Sequence, residues 1–379
     1  MTNATTPRGV TILGATGSIG TAALRVMARH RDLFRVSGLT AHSNAALLGE
    51  QVAEWRPDFT GLVNGGQGMP AGWASGEEVL VQAASLPSAD IVLNAVVGST
   101  GLEATLAALQ AGKRVALANK ESLVMGGELV MAAARRNHGE LVPVDSEHSA
   151  ILQCLAGRQP SDVRRLIITA SGGPFRTWPT QRIAEATLAD ALNHPTWSMG
   201  RKITVDSASL VNKALEVIEA HFLFGVPYDR IEVVVHPQSI VHSMVEFIDG
   251  SVVAQLGVPS MELPILYALS YPERLEDDGV ARFDPVAAAS LTFEAVRTDA
   301  FPSFKMGLEA GRAGGVAPAV FNAANEAAVQ RFLDGSLTFG GIPRAIDAAL
   351  SALGDRKLDG IASLRDADRA ARSLVQELV

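Results

Sequence analysis

Short apolar runs and longer Ala- and Leu-rich stretches alternate along the first part of the chain. The longer stretches predict helices, one over residues 19–29 and another running through Met131. Strands that alternate with helices favour a parallel sheet with helices on both faces. We therefore expect a doubly wound α/β domain over residues 1–144. Its predicted strands are 10–13, 36–40, 91–97, 115–118 and 141–144.

The middle and the end of the chain follow different patterns. We expect a central α+β domain over 145–272, a Pro-punctuated connecting segment over 273–302 and a C-terminal helical bundle over 303–379. The loop 193–202 is rich in residues that do not extend a helix, and we expect it to act as a flexible lid. The strand candidates of the central domain are more polar, at 165–169, 231–235 and 251–257.

Composition and charge narrow the class of protein. A chain of 379 residues, 47% hydrophobic and 19% charged, is typical of a globular protein of two or three domains. The net charge of -8 argues against a nucleic-acid partner, so any phosphate must bind in a local pocket. The single cysteine, Cys154, excludes an internal disulfide and a multi-cysteine metal site, and we expect it to be a packing residue. The polar stretch before Arg8 and the lack of long apolar segments predict a cytoplasmic protein with no membrane partner.

A glycine-rich loop joins the first predicted strand to the first predicted helix. Gly14, Gly17 and Gly20 follow a GxxGxxG spacing there. Glycines let the backbone approach a pyrophosphate, and the helix N-terminus offers N–H groups to that anion. The alternative is a glycine-rich turn that binds nothing. The placement favours a dinucleotide site of the Rossmann type.

The end of the second predicted strand carries no acid. A carboxylate there would bind the ribose 2′-hydroxyl and repel a 2′-phosphate. Ser43 and Asn44 can donate hydrogen bonds to a phosphate, and His42 can add partial positive charge. The sequence therefore favours NADP over NAD.

Two acids follow the strand that ends the first domain. In an extended chain, Asp145 and Glu147 would project to the same face and require a cation or a proton between them. The alternative is an exposed acidic turn with a helix N-cap at Ser146 or Ser149. Both interpretations stay open on these residues alone.

A second polar cluster lies on a predicted helix after Val205. Asp206, Ser207 and Ser209 are candidate N-cap residues. Asn212, Lys213 and Glu216 share one helix face, which suits phosphate binding near the helix start and a third carboxylate one turn on. A solvated face with an ion pair is the alternative. Carboxylates without Cys or His favour a hard ion, Mg²⁺ or Mn²⁺.

Two further loops carry candidate chemistry. Ser171, Gly172 and Gly173 follow a predicted strand and can form an anion-binding concavity, although a structural turn is the alternative. In the loop with His194, Trp197 can either tuck into the protein or cover a substrate and exclude water.

Taken together, the chain resembles the 1-deoxy-D-xylulose 5-phosphate reductoisomerase family of the non-mevalonate isoprenoid pathway. The matching stretches run in family order over nearly the full length: 14–20, 119–122, 145–149, 171–175, 194–200, 206–216, 236–242 and 322–326. The resemblance implies conversion of 1-deoxy-D-xylulose 5-phosphate to 2-C-methyl-D-erythritol 4-phosphate, with NADPH reducing an aldehyde formed by carbon–carbon rearrangement. It also implies a homodimer.

The resemblance also implies roles for individual residues. Asp145, Glu147 and Glu216 would hold the metal, and Lys120 would lie near the reacting centre. The phosphate would be held by Ser171, His194, Ser207, Asn212 and Lys213, with His194 also counted as catalytic. Ser146 would contact the substrate, and Trp197 would cover it. The NADPH site would comprise Thr16, Gly17, Ser18, Ile19, Ser43, Asn44, Asn119, Glu121 and Gly200, with His42 beside it.

One departure and two alternatives remain at this point. Residues 42–44 lack the basic residue often found there in the family, so the individual 2′-phosphate contacts stay open. The alternative functions are another NADP-dependent sugar-phosphate or semialdehyde dehydrogenase and a non-catalytic NADP-binding sensor. Neither alternative accounts for the three carboxylates, and Cys154 is poorly situated to be an active thiol.

Overall fold

The computed structural model describes residues 6–66 and 69–378. Its first elements are β1 (Arg8–Leu13), α1 (Ser18–Arg29), β2 (Phe34–Ala41), α2 (Ala45–Trp55), β3 (Phe59–Leu62), β4 (Ala74–Ser75), α3 (Val79–Ala84), β5 (Ile91–Asn94), α4 (Gly101–Gln110), β6 (Arg114–Leu117), α5 (Lys120–Asn137), β7 (Glu140–Pro143) and α6 (Ser146–Cys154). They are followed by β8 (Val163–Ala170), α7 (Thr180–Ile183), α8 (Leu188–Leu192), α9 (Arg201–Ala208), α10 (Val211–Phe224), β9 (Ile231–Val235), β10 (Val241–Phe247), β11 (Val252–Leu256), α11 (Glu262–Ser270), β12 (Glu294–Ala295), α12 (Pro302–Ala313), α13 (Ala317–Leu333), α14 (Gly341–Leu353) and α15 (Gly360–Glu377).

These elements form two compact units. The first unit comprises the described residues up to 122, Glu128–Ser149 and Ser260–Ala281. The second comprises Leu123–Gly127, Ala150–Pro259 and residues 282–378. The four-part division with boundaries after 144, 272 and 302 stays a prediction.

The first unit is built on a parallel sheet. Within the described residues its seven strands follow the order β4-β3-β2-β1-β5-β6-β7. Val10, Ile12 and Leu13 of β1 are fully buried, as expected for a strand in the middle of a covered parallel sheet. The strand order reverses between β1 and β5, and the carboxyl edge at such a switch point is where doubly wound sheets bind ligands.

One predicted strand is longer than the observed one. The strand expected over 91–97 ends at Asn94. The Asn94 Oδ1 accepts a hydrogen bond from the Val96 N–H at 3.4 Å, which turns the chain at the sheet edge. Val97 is consequently 68% exposed, although its apolar side chain fits the strand pattern.

The second unit contains a mixed sheet in the order β11-β10-β8-β9-β12. Strands β8 and β9 are parallel, and the other pairs are antiparallel. Strand β12 lies in the segment that the sequence pattern predicts to be irregular. One core cluster joins this sheet to its helices, and Cys154 is buried in it, as expected; its members include Ile151, Leu166, Ile168, Val217, Ala220 and Val245.

The C-terminal part of the second unit is helical. Helix α13 contacts α12, α14 and α15, and its Ala-rich sequence allows this close packing. The two sheets and these helices confirm the predicted α/β fold class. No helix within residues 6–66 and 69–378 combines the length and the apolar character needed to cross a membrane.

Candidate active site

The glycine loop of the first unit lies at the carboxyl edge of β1. Gly14 has φ +84°, and a Cβ there would lie 2.7 Å from the Ala95 carbonyl oxygen. A Cβ on Gly20 would lie 2.4 Å from the Gly14 carbonyl oxygen. Both positions therefore require glycine. Gly17 is the N-cap of α1, so the helix starts at this loop and directs its first N–H groups to the edge.

The residues predicted to line a nucleotide lie along this edge. Thr16 and Ile19 are partly buried, and Gly17 and Ser18 are exposed on the loop. The first helical turn is therefore accessible at a Rossmann-type switch point, which is the arrangement that binds a pyrophosphate.

The end of β2 carries polar side chains and no acid. Asn44 caps α2, because its Oδ1 accepts from the Leu47 N–H at 3.2 Å. The Nε2 of His42 lies 2.9 Å from the Asn64 amide nitrogen, a partner that the sequence pattern did not indicate. Ser43 is exposed. Among the described residues, positions 41–44 at the end of β2 therefore carry no carboxylate.

Asn119 is fully buried and anchors the neighbouring loop. Its Nδ2 donates to the Val96 and Gly98 carbonyls at 3.0 and 2.8 Å, and its Oδ1 accepts from the Ser122 N–H at 3.1 Å. Its Nδ2 also lies 3.1 Å from the Glu121 carboxylate. The side chain thus fixes the β5–α4 loop at the switch point, and a direct cofactor contact of Asn119 or Glu121 stays a prediction.

The first acidic pair has a different geometry from the one predicted. Helix α6 begins at Ser146, so Glu147 lies in its first turn and the segment is not extended. The Asp145 Oδ1 accepts from the Glu147 N–H at 3.3 Å, and its carbonyl accepts from the Ser149 N–H at 2.8 Å. An acid before a helix start satisfies N–H groups in this way, and that preference decides the local structure. The Ser146 hydroxyl donates to the Glu147 carboxylate at 2.5 Å.

Asp145 forms an ion pair with Lys120 inside the first unit. The Lys120 Nζ lies 2.6 Å from the Asp145 Oδ2, with side chains only 7% and 12% exposed. Burial opposes ionisation of Asp145, but Lys120 and His148 outweigh it and hold the pKa of this carboxyl well below its usual value. Asp145 is therefore an anion at neutral pH.

The third acid lies on a buried face of α10 in the second unit. Glu216 accepts from the Asn212 amide at 2.6 Å with one oxygen and pairs with the Lys213 ammonium through the other. The predicted shared face of these three residues is thus observed. The side chains of Lys213 and Glu216 are 5% and 1% exposed, so the alternative of a solvated face is wrong.

The predicted N-caps of this helix are wrong. Asp206 and Ser207 lie in the preceding helix, α9, and Ser209 follows its end. Helix α10 begins after Leu210, which has φ +58°, so the chain turns sharply between the end of α9 and the start of α10. The polar pattern alone does not separate one capped helix from two helices joined in this way.

His194 and Ser171 meet in the second unit although they are 23 residues apart. The His194 Nδ1 accepts from the backbone N–H groups of Thr196 and Trp197 at 3.1 and 2.9 Å. In the neutral ring the proton must then be on Nε2, which lies 3.0 Å from the Ser171 Oγ. Burial lowers the pKa of His194, which favours this neutral form. The imidazole is therefore oriented as a hydrogen-bond donor.

The glycines after Ser171 bring this loop against α9. Gly172 and Gly173 have φ of +84° and +65°, and a Cβ on Gly173 would lie 2.7 Å from the Ser207 carbonyl oxygen. The Gly173 N–H donates to the Ser171 Oγ at 3.2 Å. Since this Oγ can accept from Gly173 and His194, its own proton is available for a ligand. We call Ser171, Gly172, Gly173, His194 and Ser207 the cradle.

The predicted lid is a loop only in part. Residues 193–200 are non-helical, and α9 begins at Arg201, with exposed Gly200 as its N-cap. Trp197 is partly buried, and its ring centroid lies 6.4 Å from that of His242. Motion of this loop and a covering role for Trp197 stay predictions.

The parallel sheet and the glycine loop before α1 are those of the dinucleotide-binding α/β class. Family models described as 1-deoxy-D-xylulose 5-phosphate reductoisomerase and as its C-terminal domains match residues 10–127, 141–224 and 256–374. The chain belongs to the 1-deoxy-D-xylulose 5-phosphate reductoisomerase family and is an NADPH-dependent oxidoreductase. The two alternative functions are not favoured.

Individual relatives cover almost the whole chain. The reductoisomerase of Gloeobacter violaceus is 50% identical over 98% of this chain and 97% of its own length. That of Chloroherpeton thalassium is 50% identical over 97% of each chain. The solved enzyme from Zymomonas mobilis in complex with NADPH is 40% identical, with a TM-score of 0.88 over 98% of this chain and 100% of its own. A second solved reductoisomerase, in complex with NADPH, fosmidomycin and magnesium, is 37% identical, with a TM-score of 0.91 over 97% of each chain.

Proposed function

We propose that this protein converts 1-deoxy-D-xylulose 5-phosphate to 2-C-methyl-D-erythritol 4-phosphate in non-mevalonate isoprenoid biosynthesis, using NADPH and a divalent metal ion. The observation that carries the proposal is the family match: 50% identity to a named reductoisomerase over 98% of the chain. The geometry of each unit supports it, because one offers a dinucleotide edge and the other a phosphate cradle.

The nucleotide edge suits NADPH. Glycine at positions 14 and 20 lets the loop pack closely against neighbouring backbone, so that α1 starts at the sheet edge. The backbone N–H groups of Thr16, Ser18 and Ile19 would face the pyrophosphate there, while the Gly17 N–H donates to the Gly14 carbonyl at 3.0 Å. Ser43, Asn44 and His42 would face the 2′-phosphate, and Asn119, Glu121 and Gly200 would complete the site. NADPH supplies the hydride that reduces the aldehyde.

The substrate phosphate would bind in the cradle and at the start of α10. Ser171 would donate through its hydroxyl, since its oxygen already accepts from the Gly173 N–H and the His194 Nε2–H. His194, whose Nδ1 is occupied by two backbone N–H groups, would donate to the phosphate by turning its Nε2–H from Ser171 to the ligand. Ser207, Asn212 and Lys213 would add further donors. Charge-assisted bonds from Lys213 would favour a dianionic phosphate.

The metal would be held by Asp145, Glu147 and Glu216. All three offer oxygen ligands, as Mg²⁺ and Mn²⁺ prefer, and Asp145 is already ionised. A bound cation stabilises negative charge on substrate oxygens during the rearrangement. Lys120 and Lys213 neutralise two of these carboxylates in this structure. Each can transfer its hydrogen bond to the substrate, Lys120 to an oxygen at the reacting centre and Lys213 to the phosphate.

We further propose a cytoplasmic homodimer. Strand β11 ends the order of the five-stranded sheet, and Val252 at its start is 50% exposed. An end strand with an apolar, exposed residue is suited to pairing with a second copy. Ile248, 68% exposed just before this strand, adds apolar surface at the same place.

The direct test is NADPH oxidation with 1-deoxy-D-xylulose 5-phosphate. NADPH absorbance should fall when substrate and Mg²⁺ or Mn²⁺ are both present, stop with EDTA, and resume with excess metal. The product should show a branched carbon skeleton by ¹³C NMR. An unbranched product would indicate an ordinary sugar-phosphate dehydrogenase, and binding of NADPH without oxidation would indicate a sensor.

A further inference from the structure

Helix α13 carries two buried amides among small apolar residues. Asn322 and Asn325 are both fully buried, one helical turn apart. Burying an amide is unfavourable unless it forms hydrogen bonds, so each of these side chains requires an explanation. The chemistry described above uses neither of them.

The two amides have different partners. The Asn322 Nδ2 donates to Glu326 on the same helix at 2.9 Å, and Glu326 in turn accepts from Arg372 of α15 at 2.6 Å. The Asn325 Nδ2 donates instead to the Asp206 Oδ1 at 2.8 Å, across 119 residues of sequence. Asn325 is therefore the amide that ties α13 to α9.

Asp206 is held firmly by this contact. Its second oxygen lies 2.9 Å from the Lys202 ammonium, one turn earlier in α9, and its side chain is only 2% exposed. A carboxylate only accepts hydrogen bonds, and each oxygen has one donor here. The Asn325 bond fixes the last turn of α9 relative to α13, and the Lys202 pair, which lies within α9, holds the Asp206 side chain in the rotamer that forms this bond.

That last turn forms one wall of the cradle. Ser207 follows Asp206 directly, and its carbonyl is the group that leaves no room for a Cβ on Gly173. Gly173 in turn donates to the Ser171 Oγ. A rotation of the α9 end would therefore displace Ser207 and press on the loop that orients Ser171.

We propose that Asn325 is a positioning residue for recognition of the substrate phosphate, acting through Asp206 and the end of α9. The inference rests on the proposed phosphate-binding role of the cradle. Asn325 itself touches no substrate. It sets the distance between Ser207 and Ser171, and so decides how well both hydroxyls reach one phosphate.

The test compares Asn325→Leu with Asn322→Leu. Both changes replace a buried amide with an apolar side chain of similar size on the same helix, and both native amides have an Oδ1 without a hydrogen-bond partner among the described residues. Asn325→Leu should raise the substrate KM by roughly 10-fold with the NADPH KM within about twofold, since small misplacements of binding groups have large effects. Asn322→Leu should change neither KM beyond about twofold.

Exchanging the amide and the carboxylate between positions 325 and 206 keeps the inference testable if Asn325→Leu fails to fold. Asn325→Asp alone sets two carboxylates against each other and should raise the substrate KM further than the Leu variant. Adding Asp206→Asn restores a donor and an acceptor in the same place, so the substrate KM should return to within about threefold of wild type. A double variant no better than Asn325→Asp would overturn the inference.

Inorganic phosphate separates this inference from the proposed reaction. Phosphate should raise the melting temperature of wild type and Asn322→Leu, and raise that of Asn325→Leu much less at the same concentration. If wild type fails to oxidise NADPH with the pentulose phosphate, the proposed function is wrong, and the phosphate-dependent shifts still judge the role of Asn325. If Asn325→Leu and Asn322→Leu have equal substrate KM values and equal phosphate-dependent melting shifts, Asn325 is not a positioning residue.

Discussion

The anion-binding surfaces that we propose in the two units are formed by different chemical groups. In the first unit the surface is backbone: the N-terminal turn of α1, with glycine required at positions 14 and 20. In the second it is mainly side chains: the hydroxyl of Ser171, the oriented imidazole of His194 and the ammonium of Lys213. A backbone site tolerates changes of side-chain chemistry but not an added Cβ. A side-chain site depends on charge, protonation and rotamer.

The difference between a backbone surface and a side-chain surface matches the difference between the two proposed anions. A pyrophosphate linker is common to every dinucleotide, so backbone N–H groups, which belong to the fold, are sufficient to hold it. The proposed sugar-phosphate substrate would have to be held in one orientation beside the reacting groups, and this requires side chains with fixed rotamers. In the second unit the rotamers of His194 and Asp206 are each fixed by two hydrogen bonds.

The largest effect should follow from removing one charge from the side-chain surface of the second unit. Glu216→Gln keeps the size of the side chain and its contact with Asn212 but removes the anion beside Lys213. Because Glu216 is a proposed metal ligand, losing its charge should lower turnover by roughly 10²-fold or more while leaving NADPH affinity nearly unchanged. Steady-state kinetics over a range of Mg²⁺ concentrations measure both quantities.

The matched control is Glu309→Gln on α12, an exposed carboxylate of the same unit, 58% exposed. It should retain wild-type kinetics. Near-normal turnover of Glu216→Gln at limiting metal would remove Glu216 from the ligand set and weaken the contrast between the two surfaces.

A smaller effect should follow from adding one methyl group to the glycine loop of the first unit. Gly20→Ala brings a Cβ to 2.4 Å from the Gly14 carbonyl, so the glycine loop must shift. Overpacking of this kind typically has a free-energy cost of ~1–3 kcal/mol, which corresponds to an increase of about 5- to 150-fold in the NADPH KM if the strain falls on the bound state. The substrate KM should change little, because the cradle belongs to the second unit.

Gly49→Ala is the control for that experiment. Gly49 lies in α2 of the same unit, and nothing lies within 4 Å of a Cβ added there. Alanine in a helix is favoured over glycine by about 0.5–1 kcal/mol, so this variant should be slightly more stable and kinetically normal. If both glycine variants bind NADPH like wild type, the backbone does not hold the nucleotide in the proposed way.

The same contrast explains how much the sequence could predict. The parallel sheet and the glycine loop were predictable, because strand and helix patterns and glycine spacing are local signals. The cradle was harder to predict, since Ser171 and His194 are brought together only by the tertiary fold. The tautomer of His194 depends on the backbone N–H groups of Thr196 and Trp197, which no residue pattern specifies.

The local geometry predicted from short polar segments was wrong. Asp145 and Glu147 fit an extended chain and a helix start equally well over so few residues, and helix capping decides between them. Lys120 and Asn119 were found by family resemblance, not from a pattern. Asn325 lay within a matching stretch, but its contact with Asp206 spans 119 residues and is visible only in the fold.

The smallest predicted effect concerns pH and exists only at the side-chain surface. Burial lowers the pKa of His194, so the folded protein takes up this proton at a lower pH than the unfolded chain, whose histidines titrate near ~6.5. Its contribution to stability is therefore intact above that pH and declines as pH falls through it towards the lower folded value. Protonation would also place a hydrogen on Nδ1, which accepts from Thr196 and Trp197 in this structure.

His194→Gln does not titrate, so the melting temperatures of wild type and variant, measured without ligand from pH ~7.5 to ~5, should converge as the pH falls. Parallel curves would mean that His194 is not held neutral by the fold, and its assigned role as an Nε2–H donor to phosphate would lose its physical basis.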